Sequence, residues 1–441
     1  MKYSSLLVAV ILSVAIAEKY AIIFGTAKGW SNYSITSEPC RAYTYLIRGG
    51  LKPENIIYMT YTDDVTYILN PFKGMMFTEQ SETTDGDWAK YGCFEHVDYT
   101  IPNINPEVFI AIISGDKATV QNTLGIENPK VLNATENDTV FTYFIDHGEL
   151  AQIFVGPSVV SEERFINALK VAHDNHLYGK WVWFMEACHG GSMFANLPSD
   201  WNIFAMTSAD KDHIAKMSEC PPDDMIAKKH LKTCMGGLWD NVWMDYWAAH
   251  PSCTIGEIVD ATMKEVGEVS DQNVSQFGAL GLRDLPLSEF VGEMPPSRSS
   301  SIESSIESSS HSSKRSHGTL VDRHEVPLHL AKWAAVRADD DRAEALAEFQ
   351  RLRVVAARRE VEAMRLGVAL LGEKAALRAW ENGAEAYNVD CVRTLGLGLE
   401  EHCGSTRDAM GTLQPGVTNL LKSVCLPGVR APEVDWDEVC M

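Results

Sequence analysis

Two short runs end in residues whose types fit covalent chemistry. Residues 140–148 read V-F-T-Y-F-I-D-H-G, and residues 180–192 read K-W-V-W-F-M-E-A-C-H-G-G-S. The first delivers His147 and Gly148; the second delivers Glu186 and Cys188, then Gly190 and Gly191. A cysteine nucleophile needs a thiolate, a nearby imidazole and donors for the oxyanion. Cys188 would be the nucleophile and His147 the base. Gly148, without a side chain, lets its N–H approach a substrate carbonyl closely, and the N–H of Cys188 is the natural second donor. Gly190 and Gly191 permit a sharp turn away from the strand. Asn32, at the end of another apolar run, could orient the imidazole. Glu186 alternates with Cys188, so both face one side if the strand persists that far, and its carboxylate could bind a polar substrate side chain. Asp146 is read as a loop cap. Each residue has a plainer reading alone: His147 as a satisfied core histidine, Cys188 as a buried thiol, Asn32 as a glycosylated loop residue. The specificity lies in the pair, each member at the end of a hydrophobic strand and followed by glycine.

The elements that must position these residues are legible from periodicity. Residues 19–25, 55–61, 140–145, 181–185 and 202–207 are apolar, β-branched and aromatic runs of strand length. Ser37 is a candidate N-cap for a helix through Arg48, ended by Gly49 and Gly50. Residues 161–175 and 254–269 have helical spacing, residues 238–249 are aromatic-rich, and residues 108–114 fit strand or helix equally. Residues 63–99 show no clean period and predict a long surface excursion. The alternation predicts an α/β domain with a mostly parallel sheet, whose strands present ligands at their carboxyl ends.

The 441 residues allow two domains. A net charge of −22 and a pI near 5.0 argue against a nucleic-acid partner. Lys2, an apolar run over residues 6–16 and A-I-A at 15–17 predict a signal peptide over 1–17, too short to span a membrane. A secreted, lysosomal or vacuolar protein without a membrane anchor is expected. Asn32, Asn133, Asn137 and Asn273 begin glycosylation sequons. Cys391, Cys403, Cys425 and Cys440 cluster near the end and predict two disulfides; no C-x-x-C pair points to zinc. Cys40, Cys93, Cys220, Cys234 and Cys253 are expected to be buried fillers. Residues 295–318 are Ser-rich and predict an exposed, cleavable linker. The following stretch is strongly helical. Its Arg351, Arg353, Arg358, Arg359 and Arg365 make either a solvated helix face or a basic surface lying on an acidic catalytic domain, a contact that acid would weaken.

The chain resembles legumain, the asparaginyl endopeptidase family of caspase-like cysteine peptidases. The likeness is carried from residues 20 to 278 by S-N-Y at Asn32, E-P-C-R-A-Y, S-G-D at Ser114, F-I-D-H-G, W-F-M-E-A-C-H-G-G-S-M, N-I-F-A-M-T-S-A and N-V-S-Q-F-G. It continues from E-V-P-L at Glu325 to the cysteine-rich tail. The resemblance implies a caspase-like catalytic domain over 18–292, a linker or activation peptide over 293–323, and an all-α, death-domain-like prodomain over 324–441. It implies an acid-activated zymogen whose prodomain covers the active site, with no cofactor or metal. The substrates would be proteins or peptides, and cystatin-type proteins the inhibitors. Catalytic roles fall to Cys188, His147, Asn32 and Gly148, and a pocket role to Glu186. The tail would pair Cys391 with Cys425 and Cys403 with Cys440.

The pocket departs from the family pattern. An expected Arg-His pair is replaced by Ser34 and Ile35. The second pocket acid falls at Met235-Gly236-Gly237-Leu238, leaving Asp240 close but displaced, and the family's serines align near Ile214 and Ala215. Cleavage after Asn or Asp is expected, without a strict Asn preference. No Asn occurs between Asn273 and Asn382, so maturation is expected at Asp339 to Asp341, or at Arg315 or Arg337. Two rival readings use the same residues: a peptide ligase, in which an amine intercepts the thioester, and a secreted binding protein that keeps the fold without activity.

Overall fold

A computed structural model describes residues 17–156, 158–293, 316–336, 342–384, 386–403 and 415–440. The signal-peptide segment and the cleavage candidates Arg315, Arg337, Asp339 and Asp341 lie outside the described residues.

The centre is a six-stranded sheet. Its order is Ser275–Gly278, Ile203–Thr207, Lys180–Glu186, Thr139–Ile145, Lys19–Gly25 and Ile56–Thr60. All neighbours are parallel except the edge strand Ser275–Gly278. Alternate residues go to opposite faces. Ala21, Ile23, Phe141, Tyr143 and Phe184 pack under Trp239, Trp243 and Trp247 on one side. Ile22, Phe24, Val140, Phe144, Trp181 and Trp183 pack against Phe109 and Phe165 on the other. Both faces are dry, which is why these strands are continuously hydrophobic rather than alternating. The register sets Gly25 beside Ile145, and Ile145 beside Glu186. The carboxyl ends of three adjacent strands therefore finish level, and the loops carrying Asn32, His147 and Cys188 emerge side by side. A cavity of about 470 Å³ lies at the amino ends of the same strands, lined by Lys19, Asp138, Thr139 and Lys180, away from that chemistry.

Several local expectations resolve differently. Residues 108–114 lie in a helix, Pro106–Ile113, because Asn105 caps it by accepting from the Val108 N–H and Pro106 sits in its first turn. The helix expected from Ser37 starts three residues earlier, at Ser34. Four of the presumed filler cysteines are paired, Cys40 with Cys93 and Cys220 with Cys234, while Cys188 and Cys253 are free. Sequence gave these four no local spacing signal; their partners meet only in the fold.

The C-terminal part is helical: Val326–Val336, Arg342–Leu371, Glu373–Glu381, Val389–Cys403, Pro415–Val424 and Trp436–Cys440. Its core holds Ala363, Leu366, Leu395, Leu420 and Leu421, and the disulfides Cys391–Cys425 and Cys403–Cys440. Leu150 of the catalytic part joins that core. Two arginines of the arginine-rich helix face away from the catalytic part, while Arg359 is half-buried and near enough for its charge to act on His324. Arg351 and Arg358 pair with Glu348 and Glu362 on their own helix and remain mostly exposed. Docking runs through Lys422 and Tyr387, both bonded to Asp212.

The end of the segment expected to be linker is ordered. Thr319–Asp322 is a strand, antiparallel to Lys216–Cys220, which also pairs with Gly236–Gly237.

Candidate active site

His147 follows the strand Thr139–Ile145 directly. Asp146 anchors the junction: its carboxylate accepts from the Thr26 hydroxyl at 2.5 Å and from the His147 N–H at 2.6 Å. Its own N–H donates to the Glu186 carbonyl at 3.2 Å, tying the two strand ends together. Burial pushes the Asp146 carboxyl up to about 7.

His147 Nε2 lies 2.9 Å from Asn32 Oδ1. Asn32 Nδ2 donates to the Lys28 carbonyl at 2.9 Å. That second bond fixes the amide's orientation, so Asn32 offers its oxygen and Nε2 carries the hydrogen. Nδ1 is then the lone-pair nitrogen. It is buried and has no hydrogen-bond partner among the described residues. Asn32 thus holds the imidazole in the tautomer a base requires. The other sequon asparagines, Asn133, Asn137 and Asn273, are exposed.

The cysteine strand ends at Glu186, two residues before Cys188, so the turn begins sooner than strict alternation assumed. The left-handed residue of that turn is His189, with φ 56°, rather than either glycine. Gly191 serves close packing, since a Cβ there would meet Asp210 Cα at 2.9 Å. Gly148 has the same logic: a Cβ would meet the Cys188 carbonyl oxygen at 2.2 Å. The two backbones that could donate to one oxyanion are therefore in close contact.

Cys188 is fully buried, packed with Ile214 and Ala215. Burial pushes its thiol up to about 12, against the pull of the nearby Arg323 charge and a backbone hydrogen bond with Ala215. Burial also drives His147 down to about 3, and the positive charges of Arg323 and His324 add to this. Both shifts favour a protonated thiol and a neutral imidazole, so the covered pair holds no thiolate–imidazolium ion pair in advance.

The residue that closes it is Arg323, which nothing in the local sequence V-D-R-H marked out. It follows the docked strand Thr319–Asp322, and its N–H donates to the Ala215 carbonyl at 3.0 Å. Its guanidinium donates to Glu186 Oε1 at 2.5 Å, with Arg323 2% and Glu186 0% exposed. Arg323 also lies within the electrostatic reach of Cys188 and Asp240.

Asp240 lies within electrostatic reach of Glu186 and Arg323. It is fully buried and accepts from the Tyr143 hydroxyl at 2.5 Å. Burial first, and the Glu186 charge second, push its carboxyl well above the usual range. Glu38 is a third buried acid; burial and then Asp240 push it up too, and its Oε1 accepts from the Gly237 N–H. Ser34 contributes no charge: its hydroxyl contacts Met217 Sδ at 3.9 Å. Sequence reasoning missed Glu38 and Tyr143 because both sit inside ordinary core segments.

Among the described residues, no group of three or more His, Cys, Asp or Glu could hold a metal ion, and no helix is long and apolar enough to cross a membrane.

Residues 19–293 match the peptidase C13 family. A hemoglobinase of Schistosoma mansoni is 32% identical over 288 residues, which are 65% of this chain and 62% of that protein. A vacuolar-processing enzyme of Vicia sativa is 28% identical over 409 residues, 88% of this chain and 79% of that protein. A legumain of Canavalia ensiformis is 30% identical over 245 residues, 53% of this chain and 48% of that protein. The chain thus spans less than two thirds of the length of the Schistosoma and Canavalia proteins.

Proposed function

The chain belongs to the peptidase C13 family, and on that premise we propose that it is a cysteine endopeptidase, folded here as its zymogen. Cys188 Sγ attacks the substrate carbonyl carbon while His147 Nδ1 takes the thiol proton. The carbonyl oxygen becomes an oxyanion held by the N–H groups of Gly148 and Cys188. Collapse breaks the C–N bond, and His147 returns its proton to the departing amine. Water, deprotonated by His147, then hydrolyses the thioester and releases Cys188. Asn32 keeps Nδ1 directed at this work, and Glu186 and Asp240 receive a substrate side chain.

The observation that carries this reading is the segment Thr319–Arg323. It adds as a strand beside Lys216–Cys220 and ends with Arg323 among Glu186, Cys188 and His147, the way an extended peptide substrate adds to a sheet edge. The helical part docked behind it acts as an intramolecular inhibitor. Maturation in acid, by a cut near Arg315, would sever the segment from the catalytic part, and a cut near Arg337 or Asp339 to Asp341 would sever it from the helices behind it; sequencing the mature C-terminus checks this, and a cut after Asn273 would overturn it. Passage through the secretory path to a lysosome, a vacuole or the exterior fits the sequons and the disulfides. Cystatin-type inhibitors would compete for the freed cleft.

A digest of a peptide library by acid-treated wild type and by Cys188→Ala tests the reading. Cleavage by wild type and none by Cys188→Ala is expected. Binding without cleavage, and no labelling of Cys188 by a thiol-reactive peptide, would favour the binding-protein alternative. An added amine nucleophile separates ligation from hydrolysis by its products.

A further inference from the structure

We propose that the specificity pocket selects a guanidinium, so that this peptidase cleaves after arginine. The inference rests on the peptidase reading and names its substrate class.

The pocket's charge is the first argument. Glu186, Asp240 and Glu38 are buried in one region, and the positions where a relative's arginine and histidine would stand are Ser34 and Ile35. Ser34 turns its hydroxyl to Met217, and Ile35 is packed in the core. Arg41 lies within electrostatic reach of Glu38, and it is committed to Asp245, Asn241 and Glu79. A neutral amide would leave Glu186 uncompensated, and a carboxylate would be repelled. A guanidinium brings both the missing positive charge and several donors.

Geometry is the second argument. Glu186 Oε2 and Asp240 Oδ2 are buried acceptors without partners among the described residues. Unpaired buried acceptors are costly, and they are what a multi-donor side chain would satisfy. The occupant already present is an arginine. Arg323 reaches Glu186 Oε1 from a backbone in register: Thr319 opposite Cys220, Val321 opposite Met217, Asp322 opposite Lys216, then Arg323 N–H on the Ala215 carbonyl. Its own Nε has no partner among the described residues, so one donor is unused, with the Asp240 carboxyl within electrostatic reach. The next residue, His324, is close enough for its charge to act on His147.

The test separates pocket from chemistry. In the full-length chain, Cys188→Ala/Arg323→Ala empties the pocket without allowing turnover. Titration with N-acetyl-arginine amide, N-acetyl-lysine amide and N-acetyl-asparagine amide should show arginine bound at least tenfold tighter than asparagine. Glu186→Gln added to that background should remove the preference. Acid-treated wild type is given fluorogenic peptides ending Leu-Val-Asp-X, with X as Arg, Lys, Asn or Asp. Faster cleavage after Arg, by tenfold or more, is expected. Equal or tighter binding of asparagine, or faster cleavage after Asn, overturns the proposal and leaves the peptidase reading standing. Arginine binding with no cleavage of any peptide supports the pocket and overturns the peptidase reading. Should the double variant fail to fold, the wild-type cleavage ranking decides alone: Asn first, or no peptide cut, counts against the proposal.

Discussion

Asn32 shows how one side chain can exclude a role that its sequence context suggests. It begins a sequon, yet its Nδ2 is bonded to the Lys28 carbonyl and its Oδ1 to His147. A glycan would occupy that same nitrogen and free the amide to rotate. Glycopeptide mapping of the secreted chain should find Asn32 bare, with any glycans on Asn133, Asn137 or Asn273; a glycan on Asn32 would refute its orienting role. Asn32→Ala should leave the imidazole free to choose the wrong tautomer. The chemical step would slow by roughly 10–100-fold, a positioning loss, with little change in KM. Rate measurements on the activated enzyme check both numbers. The same residue pair also explains why Asp146 needs no catalytic part: its two bonds go to Thr26 and the His147 backbone, so it builds the junction.

At the scale of elements, two contacts decide whether the site exists and whether it is open. Gly148 lies against the Cys188 carbonyl, with space for hydrogen only. Gly148→Ala must push the two strand ends apart, at about 1–3 kcal/mol of overpacking, and should abolish labelling of Cys188 even in protein that remains folded by circular dichroism. Arg323 is the opposite case. Removing it leaves Glu186 buried and unpaired, which costs about 3–5 kcal/mol in comparable sites, and the cost falls on the closed state. Arg323→Ala in the full-length chain should therefore let a thiol probe reach Cys188 at neutral pH at least tenfold faster than in wild type; equal rates would show that the segment does not gate the site. These elements also mark what sequence could yield. The strands and their reactive ends were legible because burial on both faces writes a continuous hydrophobic run, and because His-Gly and Cys interrupt it. The pocket was legible only in its acids Glu186 and Asp240. Glu38 and Tyr143 come from separate elements and meet them only through the sheet register. Arg323 carries no periodicity at all, and its meaning arises from a strand pairing over a separation of about a hundred residues. The cysteines behaved alike: Cys40 and Cys93 lie in an α-helix and a short 3-10 helix whose approach no local pattern encodes.

For the whole molecule the question is how the covered site and the body beneath it each answer to pH. The docking pair does not supply the switch. Burial pushes Asp212 up, but hydrogen bonds from Lys211 and Lys422 outweigh it and hold the carboxyl at about 2. Its contribution is complete above the ordinary aspartate value, near 4, and is lost only as pH falls toward 2. This one contact therefore persists through mildly acidic pH. The histidines under the lid behave differently. Burial lowers His324, against Asp322 and Glu325, which raise it, while Lys216 and Arg359 lower it further. Burial likewise holds His147 at about 3 and His189 at about 4. An imidazole whose value is depressed when covered stabilises the covered state above about 6.5. That stability is lost as pH falls below 6.5, because the open state then binds the extra proton. The body responds with the other sign. Burial raises Asp64 and Asp146 to about 7, so their share of folding stability is present in acid and is lost as pH rises from about 4 through 7. On the proposed zymogen reading, acid is expected to loosen the lid between these limits while it firms the sheet beneath. His324→Gln keeps size and polarity but cannot charge, and should shift the midpoint of acid-induced Cys188 labelling down by about 0.5 pH unit or more. Asp212→Asn should speed labelling at every pH with the midpoint unchanged. An unshifted midpoint in His324→Gln, together with a shifted one in Asp212→Asn, would move the switch from the cleft to the docking surface.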